Sequence, residues 1–492
     1  MTPIDPSSIR CIFKNANVIT PNLDRSLSIF ENVLLVVDLK GYIIHLEEVT
    51  SDESKRYLDL LIKEGNSFNV VEMGRNQWLL PGFVDTHIHA PQYVNAGLAL
   101  DKPLMEWLEH YTFKVESRID RDPKGLGKRV YGRLVERLVE NGTTSASVFG
   151  TISVEANMVL AQTFLEKGVR GQIGKLTMDR NSPDYYVEST VEALEETKRF
   201  VRLMRELVGR VEREEMRLVE PVLTPRFVPT CSEQVLKGLV EFSKKQGNEG
   251  IRWQSHAAES KGEVELCKEL LGGGKSDIDH FNQLGILNEN CLMAHCTHAT
   301  LSDLALFAQT KTSISHCPLS NVYFSSERQL PLREALNAGV QVGLGSDISG
   351  GYRVGLDENM RWSVGISKLR EGQQERALEE GEGNKEESLA ISWKESLYLA
   401  TLGGAIALGL DRTKKVGQLK VGNAFDAQWI HVGGEKSRVD WIGSSEEEEE
   451  GEVSLEDKLE KWWCNGNESD RRGVWVQGRR VYGTKERDHE FR

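Results

Sequence analysis

The most restrictive feature of this sequence is a regular alternation of short apolar runs and longer amphipathic stretches between about residues 79 and 410. Eight of the runs are rich in β-branched residues, which favour strands, and they lie at residues 80–86, 143–149, 172–178, 219–224, 251–256, 292–295, 312–315 and 342–345. In the stretches between them, apolar residues recur with the spacing of an amphipathic helix. Two of these stretches are followed by a glycine, which is a typical signal for the end of a helix. Eight strands alternating with helices predict a (β/α)8 barrel. A doubly wound open sheet would alternate in the same way, but the count of eight favours the barrel.

The two ends of the chain have a different pattern. Residues 11–46 and the tail from about residue 415 are typical of strands and turns. Neither end is long enough to bury a good core alone, so we expect the two to fold together. The sequence therefore predicts an α/β fold with a TIM-type barrel at residues 79–410. A small β-sandwich domain is expected to combine residues 1–78 with residues 411–492.

Two segments of low complexity are expected to lie on the surface. Residues 370–387 are rich in Glu, Gln and Gly, and residues 444–452 contain five consecutive glutamates. Like charges repel each other and remain hydrated, so both segments predict surface insertions or mobile loops. An acidic interaction patch is the alternative interpretation.

The composition of this 492-residue chain limits the classes of partner that it is expected to bind. Its formal net charge of −14 argues against nucleic acid, because an acidic protein gains nothing from phosphate attraction. No apolar run approaches the ~20 residues of a membrane span, and the N-terminus lacks a signal-peptide pattern. Seven cysteines without a C-x-x-C pair indicate reduced thiols. We therefore expect a cytoplasmic enzyme that acts on a small molecule and binds neither nucleic acid nor membrane.

The strongest local signal is the segment PGFVDTHIHAPQY at residues 81–93. His87 and His89 are two residues apart at the end of an apolar strand, so both imidazoles project from one face while Ile88 points away. Two converging imidazoles at the C-terminal end of a barrel strand suit a zinc-like ion. Two unrelated polar residues on a solvated face are the alternative, but the preceding apolar run argues against it.

Further polar residues follow other predicted strands. His256, His295 and His316 each end one, and Asp347 follows the last in a glycine-rich turn. Glu259, three residues after His256, could reach the same pocket as a proton carrier. Each pattern alone is more typical of a structural role, but their shared placement at strand ends indicates one site. The other histidines lack this placement and are interpreted as structural: His45, His110, His280, His298, His431 and His489.

This constellation resembles the amidohydrolase superfamily. Within it, the segments DTHIHAPQY, TPRF, SHAAES, HCPLSN, GLGSDISGGY and LATLGGAIALGL are similar to the guanine deaminase family, over about residues 70–427. The resemblance implies the barrel of the metal-dependent hydrolases and the zinc-dependent hydrolysis of guanine to xanthine and ammonia. By analogy with the family, it also implies a homodimer.

The family pattern, carried onto this sequence, also implies residue roles. One zinc ion would be held by His87, His89, His256 and Asp347. Glu259 would shuttle protons, His295 would stabilise the transition state, and Asp347 would take a proton from the attacking water. Guanine would be held by Gln92, Arg226 and Phe227, together with His256, Glu259 and Asp347.

Arg226 is expected to project over the barrel mouth from the end of its strand. Arginine offers only hydrogen-bond donors, so it would suit the O6 acceptor of guanine and disfavour the amino group of adenine. The alternative is a surface arginine paired with one of the many acidic residues. Two positions depart from the family pattern, namely Leu319 in HCPLSN and Glu327 after the serine pair.

Several other functions remain to be weighed. A different class of zinc deaminase needs H-x-E followed by P-C-x-x-C, and the chain has no P-C-x-x-C. A binuclear hydrolase with a carbamylated lysine could use Lys175, but Glu259 and the purine-type pocket favour one metal. A related deaminase or chlorohydrolase acting on another heterocycle stays open. A metal-free scaffold of the same fold also stays open, although such proteins lose the ligands and here all are present.

Overall fold

The computed structural model describes residues 5–64, 69–381, 388–434, 437–440 and 453–483. The N-terminal part forms strands that flank the barrel, with helix α1 (Asp52–Glu64) before the fourth. These strands are β1 (Ile9–Pro21), β2 (Leu27–Asp38), β3 (Ile43–Glu48), β4 (Asn69–Glu72) and β5 (Gln77–Pro81). The predicted domain boundary between residues 78 and 79 falls inside β5.

Eight parallel strands pair in sequence order to form the barrel. They are β6 (Phe83–His89), β7 (Thr143–Phe149), β8 (Arg170–Thr177), β9 (Val219–Pro225), β10 (Arg252–Ala257), β11 (Cys291–His295), β12 (Ser313–His316) and β13 (Val342–Leu344). The chain just after β13 closes the ring on β6: the amide of Asp347 donates to the carbonyl of His87, and that of His89 to Ile348, both at 2.8 Å. The predicted barrel is therefore confirmed.

Helices connect successive barrel strands, and their ends follow the sequence signals. Ser153 caps α5 by accepting from the amide of Ala156, and Gly168 ends that helix at φ 75°, a conformation that glycine adopts without strain. The helices after α1 are α2 (Leu104–Trp107), α3 (Phe113–Arg121), α4 (Lys128–Glu140), α5 (Val154–Lys167), α6 (Thr190–Gly209), α7 (Glu233–Ser243), α8 (Lys261–Leu271), α9 (Asp277–Gln283), α10 (Leu301–Thr310), α11 (Pro318–Phe324), α12 (Leu332–Asn337), α13 (Leu356–Glu379), α14 (Trp393–Tyr398), α15 (Gly404–Ala407), α16 (Leu410–Thr413) and α17 (Leu455–Asn465).

Strands from the two ends of the chain form one sheet beside the barrel. The C-terminal strands are β14 (Ala427–His431), β15 (Arg471–Val476) and β16 (Arg479–Tyr482). The pairing order is β16-β15-β14-β5-β1-β2-β3, with β4 also on β1, so β14 joins the tail to the N-terminal strands. A buried ion pair between Arg170 of β8 and Asp426 (2.7 Å) ties this sheet to the barrel. The predicted β domain built from both termini is confirmed.

The first low-complexity segment differs from its prediction. Residues 370–379, expected to belong to a surface insertion or loop, continue α13 as regular helix. This stretch is rich in Glu, Gln, Arg, Ala and Leu, which are strong helix formers. Arg370 also pairs with Glu334 of α12 at 2.6 Å, which holds this part of the helix against the barrel. Residues 382–387 and the acidic loop predicted at 444–452 lie outside the described residues.

The described ranges bear on the expectations about membrane spans and about the cysteines. None of the helices there is long and apolar enough to cross a membrane. The seven cysteines form no disulfide bond with one another in the described chain, and six of them are buried.

Candidate active site

β6 brings His87 and His89 to the C-terminal mouth of the barrel. Alternate residues of a strand face the same side, and Ile88 between them packs into the main apolar core. Both imidazoles are buried. A glycine is required beside them, because a Cβ on Gly345 would lie 2.8 Å from the Cβ of His87. The glycine-rich turn after β13 therefore lets the chain approach the histidine pair closely.

His256 and Asp347 converge on this pair from β10 and from the turn after β13. His256 Nε2 lies 3.0 Å from His89 Nε2. Asp347 Oδ1 lies 3.1 Å from His87 Nε2 and 3.6 Å from His89 Nε2. The structure therefore gathers all four residues that were predicted to bind metal. His87, His89 and His256 form one group with metal-ligand spacing, and His87, His295 and Asp347 form a second.

This cluster fits a bound metal ion. Neither ring nitrogen of His87 has a hydrogen-bond partner in the described chain, although both are buried. A buried polar nitrogen without a hydrogen-bond partner costs free energy. A metal ion bound by the imidazole nitrogens of this cluster would offset that cost. Three imidazoles and one carboxylate are ligand types that zinc accepts.

The electrostatics of the cluster favour metal-binding protonation states. Burial lowers the pKa of His87, His89 and His256 well below the usual value for histidine. These imidazoles are therefore neutral, as metal ligation requires. A hydrogen bond from His256 Nδ1 to the carbonyl of Arg226, at 2.6 Å, leaves Nε2 of that ring directed at the cluster. Burial also raises the pKa of Asp347.

Glu259 enters the same space from the loop after β10. Its Oε1 lies 3.6 Å from His295 Nε2, and burial raises the pKa of its carboxyl well above the usual value. Two buried carboxyl groups hold this loop: Glu263 accepts from the amide of Glu259 at 2.9 Å, and Asp277 accepts from that of Ala258 at 2.7 Å. Burial therefore favours the protonated form of Glu259, the form that an acid catalyst needs.

His295 ends β11 with its Nε2 near two acidic groups. The Oδ2 atom of Asp347 lies 3.9 Å from this nitrogen, and Oε1 of Glu259 lies 3.6 Å from it. The opposite nitrogen, Nδ1, lies 2.9 Å from Oδ1 of Asn321. His295 and Asp347 both have left-handed backbone conformations, at φ 67° and 46°. Non-glycine residues in this region store strain, which is typical of functional sites.

A cavity opens over the cluster. Apolar and aromatic side chains line part of the wall, and the predicted binding residues line the rest. The lining residues are His89, Gln92, Leu104, Trp107, Leu108, Arg226, Phe227, His256, Glu259, His295, Phe324, Asp347 and Gly350.

Arg226 lines this cavity but is not free. Its two terminal nitrogens contact the carboxylate of Glu116 at 2.7 and 3.2 Å, and its guanidinium lies over the ring of Phe113. Gln92 donates from Nε2 to the same carboxylate at 2.8 Å. Arg226 therefore lines the cavity, as expected, and it is also paired with an acidic residue. This ion pair is buried, whereas the alternative interpretation of the sequence was an arginine paired on the surface.

Other residues singled out in the sequence lie away from the cluster. His316 ends β12 and is buried, but among the described residues it belongs to neither histidine group with metal-ligand spacing. Lys175 contacts Glu188 at 2.8 Å and does not line the cavity, which disfavours the carbamyl-lysine alternative. Leu319 is buried and Glu327 lies 3.4 Å from His298, and neither lines the cavity.

Sequence reasoning missed the buried residues that orient the site, namely Glu116, Glu263, Asp277 and Asn321. A weak signal existed for Glu263, because it follows Glu259 by one helical turn. Glu116 carried no such signal, since it lies in α3 and its partner Arg226 is 110 residues away.

Comparisons with known proteins identify proteins that are similar to this chain. The model of the amidohydrolase family matches residues 78–481. A guanine deaminase of Dictyostelium discoideum is 36% identical over 462 residues, covering 92% of this chain and 94% of that protein. A guanine deaminase of Rattus norvegicus is 33% identical over 458 residues, covering 92% and 93%. The crystal structure of guanine deaminase from C. acetobutylicum, with guanine bound in its active site, has a TM-score of 0.80 and 28% identity and covers 96% of this chain and 100% of that one.

Proposed function

The chain belongs to the amidohydrolase family, and from that premise we propose that it hydrolyses guanine to xanthine and ammonia. One observation carries the proposal: the metal-type cluster, the buried carboxyl of Glu259 and the side chains of Gln92 and Arg226 all face one cavity. Relatives named as guanine deaminases, which match this chain over more than nine-tenths of its length, support the choice of guanine.

We assign one zinc ion per chain to His87, His89, His256 and Asp347. The support is chemical, since these residues supply three neutral imidazoles and a carboxylate within contact distance of one another. Zinc, when bound, is a Lewis acid that lowers the pKa of water from 15.7 towards ~7. The carbamyl-lysine arrangement of binuclear enzymes lacks support, because Lys175 is paired with Glu188.

The side chains of the site supply the proton transfers. Asp347 would accept a proton from the attacking water, whose oxygen forms a bond to C2 of guanine. Glu259 would deliver its proton to ring nitrogen N3, take up the proton of the new C2 hydroxyl group and pass that proton to the departing amino group. The bond from C2 to that nitrogen then breaks, and ammonia and xanthine leave. The proton held by Asp347 would then return to Glu259. Guanine and one water are consumed, so the atoms balance.

His295 would stabilise the attacking oxygen as negative charge develops on it. This role needs a proton on Nε2, the nitrogen that faces Glu259 and Asp347. With Nδ1 donating to Asn321, Nε2 carries a proton when the ring is doubly protonated.

The substrate would lie between Phe227 and the polar wall made by Gln92 and Arg226. Phe227 supplies an apolar surface for the purine face. Arg226 would donate to O6 of guanine, whereas adenine places an amino donor at that position. The buried guanidinium of Arg226, which can only donate hydrogen bonds, would therefore account for the expected preference for guanine over adenine.

A cytoplasmic homodimer completes the proposal. The resemblance to the family implies the dimer, and the seven unpaired cysteines suit a reducing compartment. Sedimentation of the purified protein gives the number of chains, and we expect two.

Product analysis tests the proposed reaction. Purified protein with guanine should yield xanthine and ammonia in equal amounts, and the Glu259→Gln variant serves as the control for contaminating deaminases. Adenine and chlorinated triazines, tested alongside, distinguish a related enzyme acting on another heterocycle. Turnover of one of these compounds without turnover of guanine would refute the proposal.

A further inference from the structure

Glu116 lies behind the cavity wall and contacts both polar residues of that wall. It belongs to α3 and its side chain is fully buried. Its Oε1 atom accepts from Nε2 of Gln92 at 2.8 Å and from Nη2 of Arg226 at 3.2 Å. Its Oε2 atom accepts from Nη1 of Arg226 at 2.7 Å. One carboxylate therefore holds two side chains that reach the cavity from the segments that follow β6 and β9.

The contact with Glu116 determines which end of the Gln92 amide faces the cavity. An ionised carboxylate can only accept hydrogen bonds, so it must face the amide nitrogen of Gln92. The amide oxygen is then turned away from Glu116, and no group in the described chain donates a hydrogen bond to it. Because Gln92 lines the cavity, this oxygen is available as an acceptor for a ligand.

The same carboxylate fixes the guanidinium of Arg226. Two of its five N–H groups are used by Glu116, and Phe113 lies against the face of the group at 5.1 Å. Nη1 of Arg226 also donates to the sulfur of Met178 at 3.8 Å. The planar guanidinium is thus held in one orientation, and two of its five N–H groups remain for the cavity that Arg226 lines. The buried positive charge is compensated by Glu116, so it does not need the ligand to be negative.

We infer that Glu116 is a specificity-determining residue, which positions an acceptor on Gln92 beside a donor on Arg226. This pattern complements a purine with a lactam edge, whose N1–H donates and whose C6 oxygen accepts. A purine with an amidine edge, such as adenine, has the reverse pattern, with an acceptor at N1 and a donor at C6. The inference rests on the proposed function, because it takes the purine to lie with this edge on that wall.

The Glu116→Gln variant tests the inference through inhibitors of guanine turnover. Hypoxanthine and adenine differ only along this edge. The ratio of their inhibition constants therefore measures how strongly the site prefers the lactam edge to the amidine edge. A glutamine at 116 can face either end of the Gln92 amide and leaves Arg226 without its partner. We expect the preference for hypoxanthine to fall by about tenfold or more, since unpaired buried groups are what reject the wrong ligand. Metal content should not change.

Glu188→Gln is the matched control. It removes the partly buried carboxylate of another ion pair, between Glu188 and Lys175, and neither of these residues lines the cavity. The inhibitor ratio of this variant should equal that of the wild type. Glu116→Asp, which keeps the charge but is shorter, replaces Glu116→Gln if that variant does not fold, and its ratio should also fall.

The outcomes separate the two claims. An unchanged inhibitor ratio in the Glu116 variants, with guanine turnover merely reduced, would show that the residue is only structural and would overturn the inference. A wild-type protein that does not deaminate guanine would instead refute the proposed function.

Discussion

Replacing Glu259 by glutamine isolates the proton transfers of the proposed reaction. The amide has the shape of the protonated carboxyl but cannot give up a proton to N3 or to the departing amine. General acid–base catalysis contributes about 10²–10⁴ in rate, so the variant should lose about 2.7–5.4 kcal/mol of transition-state stabilisation. The loss should appear in kcat, because the purine contacts of Gln92 and Arg226 are untouched.

The structure also predicts that this substitution spares the fold and the metal. Glu259 is not one of the four proposed ligands, and its Oε1 lies 3.6 Å from His295 Nε2. Burial raises the pKa of its carboxyl, so the neutral amide replaces the protonation state that burial favours. At about pH 4, where the unfolded wild type also carries this proton, we therefore expect the free energy of unfolding to change by less than about 1 kcal/mol.

The pH dependence of stability provides a second readout. The native state holds the Glu259 proton more tightly than the unfolded chain does, since its pKa is raised. The wild type therefore loses stability as the pH rises above the ordinary glutamate pKa of about 4.3 towards the raised native pKa, and the glutamine variant does not. In the presence of a chelator, the unfolding free energy of the variant should therefore increase relative to that of the wild type as the pH rises above about 4.3.

The assay is steady-state kinetics on guanine with metal analysis of the same samples. A Glu259→Gln variant with normal turnover would refute the proton-shuttle role. A variant that lost its metal would instead place Glu259 among the ligands.

Two further predictions concern the ligands and the substrate wall. His87→Ala removes a central ligand, so metal content and guanine turnover should fall together; retention of stoichiometric metal, measured by atomic spectroscopy, would contradict its role. Arg226→Ala should lower kcat/KM for guanine by roughly 2–4 kcal/mol without changing metal content, because O6 loses its donor. The same substitution leaves Glu116 buried without its cation, which should destabilise the fold by about 3–5 kcal/mol in denaturant titrations. Unchanged guanine kinetics in a folded Arg226→Ala protein would exclude the O6 contact.

The barrel could be predicted from the sequence because its strands are buried on both faces. Such strands appear as continuous apolar runs, and the run at residues 143–149 coincides with β7. The chain just after β13 was harder to place, since its pairing with β6 depends on backbone hydrogen bonds that leave no pattern in side chains. Residues 370–379 were misjudged because their charged composition suits both an exposed helix and a loop.

The site residues at strand ends could be predicted for a related reason. Parallel strands of a barrel end at one mouth, so a histidine or aspartate at each end must converge there. His316 shows the limit of this argument, because it ends β12 yet lies outside the metal-type groups in the described chain. The partnership of Glu116 with Gln92 and Arg226 could not be predicted, since it depends on how α3 packs behind the cavity wall.

The central claim is that one metal ion, held by His87, His89, His256 and Asp347, supports the hydrolysis of guanine. The most direct measurement strips the metal from the protein with a chelator and restores zinc in known equivalents while xanthine formation is followed. The account predicts no turnover without metal, a linear rise and a plateau at one equivalent per chain. Full turnover of the stripped protein, or a rise that continues to two equivalents, would contradict it.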